Sequence, residues 1–342
     1  MTLTLVAPDP EGPATGGTLY NTHLVEALKA ADVRCEWVRL ENAAAAIANR
    51  RPRLLLVDSL HLDALPELRA LAAPAPVYLL LHYLPSLVEL GREVAASELS
   101  PPERAALALA DGCVVTSAFM QRAIARLWGA HKPVLCVEPG VALPKVELTP
   151  NSRPRGVMLC NLLPAKGVLS LLEALGAGVR AEDDFELLIA GNTDLAPRYA
   201  QACRALLEGK AALRGRVRLL GGLSHVDALG LLQTSDVLIS ASRMEAYGMA
   251  LAEARAAGVP ILARPGGHAA AHVEPEAGGE LMPDEAAIAK RWLELVRDPG
   301  LLAERKRLAM TARRSRSWPQ AAEALVAGLQ AAQRLTLREG PR

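Results

Sequence analysis

Ten short apolar runs, each four to six residues long and each continuous rather than alternating, recur along the chain and set what it can fold into. They are Leu3 to Ala7, Leu54 to Asp58, Val77 to Leu81, Gly112 to Thr116, Val134 to Glu138, Val157 to Cys160, Phe185 to Ala190, Val217 to Leu220, Val237 to Ser240 and Pro260 to Ala263. A strand with one wet face alternates, whereas a strand covered on both faces does not, so these runs read as strands of parallel sheets. Helical stretches separate them; Tyr20, Leu24, Leu28 and Ala31 repeat at close to one helical turn. The expected class is α/β, with doubly wound parallel sheets.

A chain of 342 residues is long enough for two such domains. The stretch P-G-V-A-L-P-K-V-E-L-T-P-N-S-R-P-R, residues 139–155, is rich in Pro and polar residues and lacks a period, as a linker would be. We therefore expect a Rossmann-like domain over 1–142 and a second over 156–318, facing one central cleft. Net charge is +1, and residues 1–150 hold 13 Lys and Arg against 16 Asp and Glu. That balance argues against a nucleic-acid surface and suits an anionic lipid surface poorly. Five cysteines lie scattered with no C-x-x-C pair, several of them in apolar runs. Free thiols in a reducing compartment explain them better than disulfides or zinc. The chain starts without a basic region ahead of an apolar stretch, and its longest apolar run is too short for a membrane span. The expectation is a cytoplasmic protein with no transmembrane segment.

The densest chemistry lies in S-R-M-E-A-Y-G-M-A-L-A-E-A-R-A-A-G-V-P, residues 242–260. A strand ends, a short turn follows, and a helix starts near Gly248 and ends at Gly258. Glu245 then sits just ahead of a helix N-terminus, with Glu253 expected about two turns along. The N–H groups of Ala246, Tyr247, Gly248 and Met249 lie where a helix start can hold a diphosphate. Carboxylates on either side can accept hydrogen bonds from polyols, so a nucleotide sugar suits the pattern. A surface helix with two solvated glutamates would also produce it.

This run resembles the Glu-x7-Glu signature of retaining glycosyltransferases of the family 4 type, usually E-G-F-G-x-x-x-x-E-A-x-A-x-G-x-P. The resemblance covers nearly the whole chain and implies the GT-B fold, with a last helix, about 319–335, crossing back onto the first domain. It implies that Glu245 grips the donor sugar, Glu253 the ribose, and that the acceptor binds the N-terminal domain. C-N-L-L-P-A-K-G, residues 160–167, is similar to the family's G-R-L-x-x-x-K-G. Lys166 would then neutralise the leaving diphosphate, while Asn161 stands where the family has arginine and supplies no charge. His82, after the run Leu79 to Leu81, occupies the place of a histidine that contacts the donor sugar; a histidine there is also commonly structural. Gly16 and Gly17 resemble the glycine-rich first loop, Gly191 and Asn192 the turn near the nucleotide, and Gly222 the turn beside the base, with Ser224 as a helix cap. The glycine pair Gly266 and Gly267 lacks the glutamate that often follows it.

The resemblance implies transfer of a sugar from a nucleoside diphosphate sugar to an acceptor hydroxyl, with retention of configuration. No metal and no other cofactor is expected: His268 and His272 at i, i+4 lack a third ligand with suitable spacing, and no convincing Asp-x-Asp motif occurs. The acidic region Ser86 to Pro102 favours a soluble or glycan-chain acceptor. A sugar-nucleotide epimerase of the same fold, or a non-catalytic nucleotide-sugar-binding relative, would carry similar motifs. A nicotinamide dehydrogenase is disfavoured, because no G-x-G-x-x-G follows the first strand.

Overall fold

The computed structural model describes residues 2–12, 15–129, 132–145 and 151–338. The chain divides into two compact units, Met1–Gly140 with Arg316–Arg342, and Val141–Ser315. Of the segment 139–155, residues 146–150 lie outside the described residues. Residues 151–155 are already tied into the second unit, through Asn151 to Asp236 and Arg153 to Asp184.

The first unit runs β1 (Thr2–Val6), α1 (Gly16–Ala30), β2 (Arg34–Val38), α2 (Leu40–Arg50), β3 (Leu55–Asp58), α3 (Leu65–Ala72), β4 (Val77–Leu81), α4 (Pro85–Leu90), α5 (Pro101–Leu109), β5 (Gly112–Val115), α6 (Ala118–Trp128) and β6 (Val134–Cys136). Its sheet is parallel throughout, in the order β2-β1-β3-β4-β5-β6. The second unit runs β7 (Arg155–Leu159), α7 (Val168–Gly178), β8 (Glu186–Ala190), α8 (Pro197–Gly209), β9 (Val217–Gly221), α9 (His225–Gln233), β10 (Val237–Ser240), α10 (Met249–Ala257), β11 (Ile261–Ala263), β12 (Glu280–Leu281), α11 (Glu285–Arg297) and α12 (Pro299–Thr311). Its sheet is also parallel, in the order β12-β11-β10-β7-β8-β9. The last helix, α13 (Trp318–Arg338), belongs to the first unit and packs on α1.

All ten expected strands form, and two more appear. β2 reads R-C-E-W-V and lies at a sheet edge, mostly half-exposed, so its residues alternate where the others are continuous. β12 has two residues and closes the opposite kind of edge in the second sheet.

Burial on both faces explains the continuous runs. In the second unit Met158, Leu187 and Ile189 pack with Leu171, Leu172, Phe185 and Trp292 on one side. Val157, Leu238 and Ile261 pack with Leu229, Leu232 and Leu251 on the other. α13 buries Trp318, Ala321, Ala322, Leu325 and Leu329, an i, i+3, i+7 stripe that commits this helix to the first unit. Among the described residues no helix is long and apolar enough to cross a membrane. All five cysteines are free thiols, with Cys113 and Cys203 buried.

In this α/β setting the turn into β8 is pinned from a distance. Asp183, 3% exposed, accepts both Arg297 Nε at 2.8 Å and Nη2 at 2.7 Å, and the Arg180 N–H at 2.7 Å. The Arg297 guanidinium, aided by that N–H, holds the Asp183 carboxyl below its ordinary range despite burial. A carboxyl depressed on folding stabilises above its unfolded pKa and loses that contribution as the pH falls through it. Asp183→Asn is expected to cost about 2 kcal/mol in urea unfolding at pH 7. The gap from the wild type should close as the pH falls below about 4.

Candidate functional site

Ligands in open α/β sheets collect at the carboxyl ends of strands, where the strand order reverses. In the second unit that reversal falls between β7 and β10, which are neighbours although two strands and three helices intervene in the chain. The loops leaving these two strands, 160–167 and 241–248, are stitched together. Arg243 N–H donates to Ala165 O at 2.9 Å, and Lys166 Nζ lies 2.7 Å from Glu245 Oε1. Both side chains are mostly buried, Lys166 25% and Glu245 16% exposed. Burial works against the Lys166 ammonium, but the Glu245 carboxylate more than offsets it and raises Lys166 above its ordinary pKa. Lys166 therefore stays charged.

Glu245 is held through its backbone as well. Its N–H donates to Gly266 O at 3.3 Å, and its carbonyl accepts the His268 N–H at 2.7 Å. A Cβ on Gly266 would lie 1.8 Å from Arg243 O, so the glycine at this place is required by the approach of the glutamate loop itself.

Helix α10 starts at Gly248, the N-cap, with φ +92°. That left-handed value favours glycine strongly over any residue with a Cβ. No side chain caps the helix, and its first intrahelical bond is Ala252 N–H to Gly248 O at 3.1 Å. The N–H groups of the first turn thus have no intrahelical acceptor and sit at the positive end of the helix dipole. Behind the turn, His272 Nε2 donates to Tyr247 O at 2.9 Å, and the Tyr247 ring stacks on His268 with centroids 5.5 Å apart. Burial, with Arg255 and His268 nearby, pulls His272 down to about 3 and keeps it neutral. His268 and His272 therefore pack against the turn. Among the described residues no group of three or more His, Cys, Asp or Glu side chains is arranged to hold a metal ion.

Glu253 is the fifth residue of α10, about one turn along rather than the two expected, since five residues at ~3.6 per turn fall short of two turns. It is 5% exposed and its Oε1 lies 2.9 Å from His225 Nε2. His225 opens α9 directly after the Ser224 cap, whose Oγ accepts the Asp227 N–H at 3.1 Å. Sequence reasoning missed this partner, although a histidine beside a cap in a ligand-bordering loop is a usable signal. Gly222 precedes the same cap in the turn after β9. Asn161 and Asn192 also meet: Asn192 N–H donates to Asn161 Oδ1 at 3.1 Å, and Leu162 N–H to Asn192 O at 2.9 Å. Gly191, between β8 and Asn192, donates its N–H to Gly221 O at 2.9 Å.

The remaining expected residues lie in the first unit. Gly16 and Gly17 open α1 after the Thr15 cap. A Cβ on Gly17 would come within 3.0 Å of His82 Cδ2, so this glycine makes room for the His82 ring. His82 Nε2 lies 3.0 Å from Asn21 Oδ1 and 3.2 Å from Asp58 Oδ2. Asp58 and Asn21 were not singled out from sequence, yet both carry a signal. One is an acid closing an apolar strand; the other is an amide on the apolar face of α1.

The pair of His225 and Glu253 can be tested directly. His225→Ala leaves a buried carboxylate without its partner and is expected to cost about 1–3 kcal/mol. Adding Glu253→Gln should recover part of that loss in a double-mutant cycle read by chemical denaturation.

Comparison with known proteins bears on this site. Residues 153–298 match the family model of group 1 glycosyl transferases. A stretch of 153 residues is 31% identical to a GDP-mannose-dependent monoacylated alpha-(1-6)-phosphatidylinositol monomannoside mannosyltransferase of Corynebacterium glutamicum. That match spans 42% of this chain and 38% of the relative. Among solved structures, sucrose-phosphate synthase of Thermosynechococcus elongatus superposes with a TM-score of 0.77 at 19% identity, covering 98% of this chain and 99% of that one. HepE of Anabaena, in complex with UDP-glucose, gives 0.73 at 16% identity, covering 97% and 100%. The chain has the α/β architecture of GT-B glycosyltransferases, and its residues 153–298 carry the group 1 glycosyl transferase match.

Proposed function

We propose that this protein is a retaining glycosyltransferase of the family 4 type. It would move a sugar from a nucleoside diphosphate sugar to an acceptor hydroxyl without a metal ion. The observation that carries this reading is the Lys166–Glu245 pair beside the uncapped start of α10, inside the segment that matches the glycosyl transferase family. An ammonium has three donors, and one ion pair uses one of them. Two donors remain for a diphosphate, while Glu245 Oε2 remains for sugar hydroxyls. A charged lysine and helix N–H groups placed where negative charge develops stabilise a leaving diphosphate by fixed electrostatics. Glu253, oriented by His225, binds the ribose. Asn161 and Asn192 hold the neighbouring loop, and His82 contacts the sugar. One similar protein is a GDP-mannose-dependent transferase and another holds UDP-glucose, so the donor is put no more narrowly than a nucleoside diphosphate sugar. The acidic balance of residues 1–150 favours a soluble or glycan-chain acceptor, and the free thiols favour a reducing, cytoplasmic setting.

Thermal unfolding with UDP, GDP, ADP, CDP and TDP, each with and without EDTA, tests the reading. One diphosphate at 100 times its Kd should stabilise by about 2.7 kcal/mol, with or without EDTA. A shift with none of the five would sink the proposal. With the donor identified, Glu253→Ala should weaken nucleotide binding, whereas Glu245→Ala should mainly lower kcat. Lys166→Ala should lower kcat by about 10²-fold or more, measured as sugar transfer at saturating donor.

A further inference from the structure

The carboxyl ends of β3 and β4 are adjacent in the first sheet, with Asp58 opposite Leu80 in register. Asp58 ends one strand and His82 follows the other, so the two side chains meet at one edge. Asn21 reaches the same point from α1. Asp58 is 1% exposed and Asn21 is fully buried.

The hydrogen bonds in this cluster determine where the protons lie. Burial acts to raise the Asp58 carboxyl, but His82 beside it and the hydrogen bonds from the Leu60 N–H and Asn21 outweigh it and hold Asp58 below its ordinary range. An ionised carboxylate only accepts. Asp58 Oδ2 lies 2.6 Å from Asn21 Nδ2, and Oδ1 accepts the Leu60 N–H at 2.9 Å. Asn21 must therefore turn its NH2 to Asp58, which leaves its Oδ1 facing His82. His82 Nε2 then has two neighbours, Asn21 Oδ1 at 3.0 Å and Asp58 Oδ2 at 3.2 Å, and both are acceptors. Only an Nε2–H satisfies them. The ring is fixed on its other sides too. Gly17 abuts the Cδ2 edge, Tyr20 lies edge-on with centroids 5.1 Å apart, and the His82 backbone N–H donates to Ser59 Oγ at 3.3 Å.

We propose that Asp58 and Asn21 are positioning residues that fix the His82 proton on Nε2, leaving Nδ1 to accept a hydrogen bond from a hydroxyl of the sugar substrate. Among the described residues Nδ1 has no partner, and His82 stands at the carboxyl edge of a parallel sheet, where ligands bind. An imidazole whose one proton is held on Nε2 offers there one lone pair and no proton, which matches a hydroxyl donor and mismatches a carbonyl or phosphate acceptor. What Nδ1 touches rests on the transferase reading; where the proton sits does not.

Ring ¹⁵N spectra of the labelled full-length protein at neutral pH, together with steady-state kinetics, test it. The wild type should show His82 protonated at Nε2 and unprotonated at Nδ1. Asp58→Asn offers His82 an amide and should move population to Nδ1–H. It should lower kcat about 10²-fold, the size expected for a misdirected contact, with nucleoside diphosphate affinity unchanged. Asn21→Ala should lower kcat in the same direction, and serves where a buried Asp58→Asn chain does not fold. A wild-type proton on Nδ1 would overturn the inference, as would an unchanged spectrum and kcat in a folded variant. A wild type that binds nucleotide and transfers no sugar would refute the transferase reading instead, and the ring spectrum would still decide the tautomer.

Discussion

A lysine and a glutamate 79 positions apart in the chain form the contact around which the C-terminal unit's loops are arranged. Each charge is mostly out of water, and neither would be tolerable there alone, since removing one partner strands the other. These positions meet within 2.7 Å because β7 and β10 are adjacent parallel strands, the chain laying down β8 and β9 on one side before returning to the other. The bond from Arg243 to Ala165, the missing Cβ at Gly266 and the left-handed turn at Gly248 all serve that approach. Local backbone choices that look independent in the sequence thus share one cause.

The pairing has a mirror in the N-terminal unit. Burial works against the Asp58 carboxylate, and His82, Asn21 and a backbone N–H outweigh it. Both sites place a largely buried carboxylate at the carboxyl edge of a parallel sheet, Glu245 with one cation and Asp58 with three donors. The difference lies in exposure. Glu245 is 16% exposed, whereas Asp58 is 1% exposed and is covered by His82 and Asn21.

Much of this was legible in the residues. Continuous apolar runs identify strands covered on both faces, and the ten that do so here all form. β2 escaped because an edge strand with Arg34 and Glu36 half out of water has no such run, and β12 because two residues make no pattern. The glycines and caps flanking α10 fixed its ends, so Glu245 was placed correctly on its loop. Glu253 was placed a turn too far along, an error in counting from the cap. What the residues did not reveal were partners: Lys166 with Glu245, His225 with Glu253, and Asp58 and Asn21 with His82. Sequence pattern reports the burial of each residue by itself, while partners follow from strand order and crossovers.

Asn161 illustrates the same limit from the opposite direction. By sequence it is a lost arginine, a position that has given up a charge. In the fold its side-chain oxygen accepts the Asn192 N–H, tying the loop after β7 to the loop after β8. An arginine has no acceptor and cannot make that bond. The loop 160–167 then contains a single cation, Lys166, and Glu245 balances it. In the proposed transferase the attraction for a diphosphate therefore rests on the two remaining Lys166 donors together with the N–H groups and dipole of α10. Lys166 keeps two donors for the diphosphate and Glu245 its second oxygen for the sugar, so in that reading one ion pair faces both the sugar and its leaving group.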